Sequence, residues 1–401
     1  MRRISLEVSF AGVRFENPFV LAAAPPTDDL EMVAAGFEAG WAGAVLKTTS
    51  VEGTVVSLAY PMMSAMDLPG HKVAALGNID LISIHHVDEV RRRVRILKKE
   101  FPNKVVITSI MGATKQEWQE LVRALEDAGA DMIECSFSCP QGSMGEEPGA
   151  MLAQNIEATR KVTGWVKEAA KRIPVVIKIT PQVTDIVKVA RAVKEGGADG
   201  ICASNSIPGL TGVDIYSFIP YPNVEGFSTY SGITGPAIKP MTLRTIAEIK
   251  RHVDIEITGT GGPVTWRDAV EFMAVGASNV QFATAVMVYG FGIINDLKDG
   301  LTRYLYDMGF ESPAEIVGKA LPRIKDHDEL PRVYDFKSTL QKDLCIGCGD
   351  CVVACRDGGH RAIQWSEGSR LPQILDNNCV GCHLCVDVCP TGALELRRSG
   401  R

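Results

Sequence analysis

No apolar run in this sequence approaches the roughly 18 residues that a membrane span requires. A signal-peptide pattern is missing too. Arg2 and Arg3 are followed by Glu7, Arg14 and Glu16 instead of an apolar stretch, so the cytoplasm is the expected compartment. There is no excess of positive charge. Lys and Arg number 42 against 48 Asp and Glu, a net charge of -6, which removes the general electrostatic reason to hold nucleic acid or an anionic membrane. With 46% apolar and 22% charged residues and no low-complexity segment, the chain lacks the signature of disorder. No G-x-G-x-x-G follows a first strand, so no nicotinamide-binding Rossmann unit is visible. Cysteine is nearly absent from the first 344 residues, where Cys135, Cys139 and Cys202 stand alone. The other eight of the 11 lie between Cys345 and Cys389. A secreted disulfide scaffold would be shorter and more evenly stapled. The distribution fits a cysteine-poor enzyme with a cysteine-rich module at its C-terminus.

What is present is a regular alternation. The runs FVLAAA (19-24), AVLKT (44-48), VVITSIM (105-111), MIECSF (132-137), VVIKIT (175-180), GICAS (200-204), IEITGT (255-260) and NVQFAT (279-284) are apolar without polar alternation. Parallel strands buried on both faces read this way. Between them lie helical patterns such as 118-131 and 185-199, the first with a glycine at its C-terminal stop. Eight strands alternating with helices predict a (β/α)8 TIM barrel over residues 1-310, ahead of an open doubly wound sheet. Residues 311-338, with scattered proline and charge, read as a helix and linker. Residues 339-401 read as a small α+β ferredoxin-like domain, too small for a large core of its own and suited to a metal staple.

Cysteine spacing is the strongest signal in that module. Cys345-x2-Cys348-x2-Cys351-x3-Cys355 is followed by Cys379-x2-Cys382-x2-Cys385-x3-Cys389-Pro390, the two-cluster ferredoxin spacing. The fourth cysteine of each run serves the other cluster, so Cys345, Cys348, Cys351 and Cys389 are assigned to one [4Fe-4S] cluster. Cys379, Cys382, Cys385 and Cys355 are assigned to the second. Arg356 replaces the usual proline after the first run. Zinc sites and disulfides are the alternatives; zinc pairs do not match every spacing of two quadruplets, and cytosolic disulfides are rare. Two such clusters relay single electrons, which implies redox chemistry in the barrel.

Barrel chemistry sits at the C-terminal strand ends. Here those ends carry Ala22 to Ala24, Lys47 and Thr48, Met111 to Thr114, Ser136 to Cys139, Lys178, Asn205 and Ser206, Gly261 and Gly262, and Ala283 and Thr284. Gly259, Gly261 and Gly262 after the seventh strand, with Ala283 and Thr284 after the eighth, offer backbone N-H groups to a phosphate, and with no Rossmann unit a flavin mononucleotide is the expected redox carrier. A lysine at the mouth end of an apolar strand is poorly explained as a surface cation. Cys139, on a loop before Pro140 and Gly142, is a candidate proton donor, while Cys135 and Cys202 lie within strands and read as core.

The motifs NPF (17-19), GWAGAVLKT (40-48), SIMG (109-112), GADMIE-x-SFSCPQ (129-141), KITP (178-181), GGADGICASNS (196-206), SGITGPAIKP (231-240), TGTGG (258-262) and CIGCGDCVVACRDGGHRAI (345-363) occur in this order. The barrel portion resembles the FMN-binding class 1 dihydroorotate dehydrogenases, and with the C-terminal module the whole chain resembles the dihydropyrimidine dehydrogenase family. The resemblance implies FMN contacts at Ala22, Ala23, Lys47, Thr48, Lys178, Gly235, Gly261, Gly262, Ala283 and Thr284. It places Lys178 beside the flavin pyrimidine edge, where its charge would stabilise the anionic reduced form, and makes Cys139 the acid/base residue.

For the substrate, the resemblance implies contacts at Thr114, Ser136, Ser138, Asn205 and Ser206. Ser136 and Thr114 stand where pyrimidine-binding members carry asparagine, and a hydroxyl cannot make an amide's paired contacts. The expected activity is reduction of a C=C bond in uracil or thymine. A related flavoenzyme acting on another cyclic amide or acid, and an electron-transfer subunit, are the alternatives. The implied partner is a separate FAD- and NAD(P)H-binding subunit or a ferredoxin, within a homo-oligomer or heterotetramer.

Overall fold

The computed structural model describes residues 4-54, 56, 63-68, 71-138, 152-331, 335-366 and 368-398. The chain divides into two compact units, Met1–Arg323 and Ile324–Arg401. Among the described residues no helix is long and apolar enough to cross a membrane.

The first unit is a closed parallel barrel. Its strands are β1 (Phe19–Leu21), β2 (Gly43–Thr49), β3 (Val105–Ile110), β4 (Met132–Ser136), β5 (Val175–Ile179), β6 (Gly200–Ala203), β7 (Glu256–Thr260) and β8 (Asn279–Phe282), each paired with its sequence neighbour and β8 with β1. Seven of these strands lie inside the apolar runs, β2 extends one residue beyond its run at each end, and the open sheet is ruled out by closure. The helices that follow are α1 (Leu30–Ala39), α2 (Val87–Glu100), α3 (Lys115–Ala128), α4 (Ile156–Ala169), α5 (Ile186–Glu195), α6 (Lys239–His252), α7 (Trp266–Ala274), and α8 (Thr284–Tyr289) with α9 (Ile293–Met308). Local chemistry sets their ends. Asp29, Thr114, Asn155, Asp185 and Thr265 accept N-terminal N-H groups, and left-handed Gly129 stops α3.

Period-2 alternation sorts the barrel side chains. Val175 and Ile177 of β5 join the large cluster between strands and helices, whereas Val176 joins a second cluster with Val20, Val45, Ile107, Met132 and Cys202. That second cluster fills the lumen. A hairpin, Val8–Phe10 with Val13–Phe15, adds Phe10 and Phe15 to it and plugs the N-terminal end. A Cβ on Gly200 would meet Phe10 Cζ at 2.7 Å, so glycine makes room for the plug. Toward the C-terminal end the same lumen-facing positions become polar: Lys47, Glu134, Ser136, Lys178 and Gln281.

A four-stranded antiparallel sheet, not expected from the sequence, is inserted after β2 and β6. It orders Ile207–Gly209, Ser231–Thr234, His71–Asn78 and Met63–Leu68. Both insertions leave the C-terminal ends of barrel strands, so this sheet stands at the mouth.

The helix expected within 311-338 is replaced by the 3-10 turns Pro313–Glu315, Leu321–Arg323 and His327–Glu329. Pro313, Pro322 and Pro331 withhold the donors a helix needs. The first part is not a linker either: Ile316 is buried, and Gly318 and Ala320 donate to the carbonyls of Met273 and Ala274.

The second unit pairs Phe336–Leu340 with Leu394–Arg398 and Ile363–Trp365 with Pro372–Ile374, around helices Asp350–Gly358 and Leu384–Asp387.

Candidate functional site

The polar end of the lumen is built around Glu134. Its side chain is 1% exposed; Oε2 accepts from Gln281 Nε2 at 2.9 Å and Oε1 lies 3.7 Å from Lys178 Nζ. A buried carboxylate and a buried ammonium are each costly alone, and here each sits beside the other. Cys202 shares this neighbourhood. Burial, and then the charge of Glu134, push its thiol well above the usual range; burial does the same for Cys135. Both thiols are fully buried and inert. Cys139 lies outside the described residues.

Lys47 also points into the lumen. It lies 2.5 Å from Asp80 Oδ2 and 3.3 Å from Asp28 Oδ2, and Asp28 accepts in turn from Ser83 Oγ. Its neighbour Thr48 shares a 2.9 Å hydrogen bond with Ser109. Ala22 is buried and donates to the Phe282 carbonyl; Ala23 is half-buried.

The glycines form a cradle. Gly235, Gly261 and Gly262 have φ of 89°, 119° and 101°, in the left-handed region. A Cβ on Gly262 would sit 2.7 Å from Lys239 N, and one on Gly235 3.5 Å from Thr284 Cγ2. Thr284 Oγ1 donates to Thr234 Oγ1 at 2.9 Å. Three loops therefore converge on one corner of the mouth. Ser50 Oγ, Ser138 Oγ and Ser231 Oγ are buried without a hydrogen-bond partner among the described residues. Tight backbone at a glycine cradle, a buried lysine and unpaired hydroxyls fit a phosphorylated, polar-ringed group such as FMN.

Of the residues expected at the substrate, Ser136 and Ser138 are buried and Asn205 and Ser206 half-buried. Asn205 Nδ2 donates to the Ser138 carbonyl at 3.2 Å, which joins the ends of β4 and β6. Thr114 also has a local structural task. It is exposed, and its hydroxyl caps α3 by accepting from Glu117 N at 3.3 Å. An amide the sequence reading missed stands nearby. Asn78 pairs in register with Gly232, and a Cβ on Gly232 would meet Ser206 Oγ at 2.5 Å. Asn78 is thus set beside Ser206. The signal was faint: an Asn-Ile-Asp step after a strand outside the barrel.

In the second unit the cysteines form two quartets. Cys345, Cys348, Cys351 and Cys389 line one pocket, and Cys355, Cys379, Cys382 and Cys385 another. The described cysteines are free. Burial pushes the Cys351 thiol up to about 11, and binding of a metal at the sulfur would release its proton to solvent. Both quartets receive hydrogen bonds at sulfur, and Thr391 Oγ1 lies 3.8 Å from Cys389 Sγ. Cys389 accepts from Ala393 N at 3.2 Å. The other quartet receives Ser338 N on Cys379, Ala362 N on Cys355, and a 2.9 Å contact between Ser338 Oγ and Cys385. Cavities walled by four sulfurs and N-H donors fit iron-sulfur cubanes.

Comparison with known proteins covers both units. A family profile described as dihydroorotate dehydrogenase matches residues 5-305, and one described as a 4Fe-4S dicluster domain matches residues 338-396. The NAD-dependent dihydropyrimidine dehydrogenase subunit PreA of Escherichia coli (strain K12) is 40% identical over 394 residues, covering 98% of this chain and 95% of that protein. The chloroplastic dihydropyrimidine dehydrogenase (NADP(+)) of Arabidopsis thaliana is 32% identical over 337 residues, 81% of this chain and 79% of its own length. The catalytic subunit of dihydroorotate dehydrogenase B (NAD(+)) from Pyrococcus horikoshii is 35% identical over 323 residues, 79% of this chain and 98% of its own. The chain therefore belongs to the dihydroorotate dehydrogenase family, in its dihydropyrimidine dehydrogenase line, as an oxidoreductase of CH-CH groups with FMN and two [4Fe-4S] clusters as cofactors.

Proposed function

We propose that this chain is the pyrimidine-reducing subunit of an NAD(P)-dependent dihydropyrimidine dehydrogenase, converting uracil or thymine to the 5,6-dihydro form. The observation that carries this reading is that one alignment runs through barrel and cysteine module together, at 40% identity, to a subunit bearing that name. When bound, FMN supplies hydride exchange at N5 with one carbon of the C=C bond. The chain's own residues do the rest. Cys139 gives the proton to the neighbouring carbon and retakes it from water, a task suited to a thiol, whose ordinary pKa lies near 8.5. Lys178, placed beside Glu134, presents its ammonium to the flavin's pyrimidine edge. Asn205, Ser206 and Asn78 offer amide and hydroxyl groups to the substrate's N-H and C=O edge, with Ser136 and Ser138 on the facing strand end. Ala22, Ala23, Lys47, Thr48, Gly235, Gly261, Gly262, Ala283 and Thr284 hold the cofactor.

Cys345, Cys348, Cys351 and Cys389 hold one cluster, and Cys379, Cys382, Cys385 and Cys355 the other. Electrons reach them from an FAD- and NAD(P)H-binding, PreT-like subunit, with a ferredoxin as the rival donor, in a cytoplasmic homo-oligomer or heterotetramer. Ser136, where relatives of this type carry asparagine, favours a second reading in which another cyclic amide or acid is the substrate. A pure electron-transfer subunit is disfavoured, because a relay has no use for the proton donor Cys139. The test is anaerobic: the reduced protein is mixed with uracil, thymine or orotate and flavin reoxidation is followed. Reoxidation by uracil or thymine supports the reading. Reoxidation by none of them, with FMN and clusters present, defeats it.

A further inference from the structure

Glu134 places a carboxylate inside the barrel, its side chain 1% exposed. Its register partners are Ser109 on β3 and Val176 on β5, whereas Ser136, two residues on, pairs with Lys178. The carboxylate therefore lies one lumen layer deeper than the lysine. Its two oxygens have separate tasks. Oε2 accepts from Gln281 Nε2 at 2.9 Å, a contact that reaches across from β8. Oε1 makes no hydrogen bond among the described residues and lies 3.7 Å from Lys178 Nζ. A well-packed apolar side chain would fill this space without the desolvation cost of a carboxylate, so stability alone explains the pair poorly.

We infer that Glu134 is a positioning residue for Lys178 and that its charge lowers the reduction potential of the bound FMN, with Gln281 fixing the carboxylate in place. This rests on the placement of Lys178 at the flavin's pyrimidine edge proposed above. Two electrons and one proton convert the oxidised flavin to its anionic reduced form. The Lys178 ammonium favours that form, and a cation acting alone would make the flavin hold its electrons too tightly. A carboxylate behind the ammonium opposes the same gain of negative charge, so the flavin passes hydride on more readily. For unit charges about 8 Å apart at an effective dielectric constant near 20, the equilibrium changes by roughly 30-fold.

The test is a redox titration of FMN in the full, cofactor-loaded chain, read by flavin absorbance against dyes of known potential. Glu134→Gln keeps the shape and the acceptor for Gln281. It should raise the two-electron reduction constant by roughly 30-fold, which is about 45 mV. Glu134→Asp keeps the charge and should bring the potential back toward wild type; a value matching Glu134→Gln would show that charge is not the cause and overturn the inference. Lys178→Met should lower the potential. If it does, and Glu134→Gln with flavin bound leaves the potential unmoved or lowers it, the inference is overturned while the placement of Lys178 stands. If Lys178→Met leaves the potential unmoved, that placement falls and the inference with it. Where Glu134→Gln alone does not fold, the double variant Lys178→Met/Glu134→Gln is compared with Lys178→Met, which reads the same charge with no buried ammonium left alone. A rise of similar size is expected there, and no rise overturns the inference.

Discussion

The two units are stabilised by different materials. The barrel unit stands on an extensive aliphatic and aromatic core, with Trp41, Trp118, Phe19, Phe272 and Phe282 wholly buried. In the cysteine module the buried apolar cluster is Cys351, Val352, Cys355, Ala362, Ile363, Cys379, Cys385 and Leu394, so half of it is cluster ligand. A core that small supplies at most about 3–5 kcal/mol. The difference teaches that cofactor means two things in one chain. FMN enters a scaffold that is already built, whereas the iron-sulfur clusters complete the scaffold they occupy.

The sharpest way to break this contrast is to strip the clusters with an oxidant and chelator. The module should then lose its cooperative structure and become open to protease, while the barrel unit keeps its melting transition and its FMN. A module that stays protected without iron would show that its core suffices. Chemistry should separate along the same line. Cys139→Ala should lower C=C reduction by on the order of 10²-10⁴-fold while FMN and cluster absorbance persist. Turnover near wild type would remove Cys139 from the mechanism. Within the barrel pocket, Ser136→Asn should tighten uracil binding by roughly 10-fold, the worth of one well-made hydrogen bond, as read by flavin titration. No change would show that Ser136 does not face the substrate.

The smallest effects test assignments. Thr114→Ala should lower barrel stability by about 1 kcal/mol through loss of the α3 cap, with uracil binding unaltered. A binding defect without a stability change would return Thr114 to the pocket. Ser338→Ala should lower the potential of the cluster held by Cys355, Cys379, Cys382 and Cys385, because hydrogen bonds to sulfur favour the reduced, more negative state. Redox titration would read that shift, and the cluster of Cys345 should stay in place.

Legibility followed from how far apart in sequence the interacting residues lie. β5 announces itself, since VVIKI is buried on both faces and no helix or surface strand needs five such residues in a row. The quartets are legible because cysteine spacing is local. The sheet at the mouth was not. Its central strands, His71–Asn78 and Ser231–Thr234, are joined by pairings such as Leu76 with Thr234, which no short-range pattern encodes. Asn78 and Asp80 were missed with it, and so was the fact that Lys47 is already ion-paired. Thr114 was read as a pocket residue because it follows β3, yet a threonine three residues before Glu117 also fits a helix cap, and the structure shows the cap. The prolines at 313, 322 and 331 withhold the donors that the helix expected within 311-338 would need.

The most direct measurement supplies electrons by two routes. Uracil reduction by the purified chain is followed anaerobically, first with dithionite and then with NADH. The account requires dihydrouracil formation with dithionite, and none with NADH until an FAD- and NAD(P)H-binding subunit is added. Rapid NADH-dependent reduction by the chain alone would contradict it, since hydride reaching the barrel flavin directly would leave the two clusters without a task.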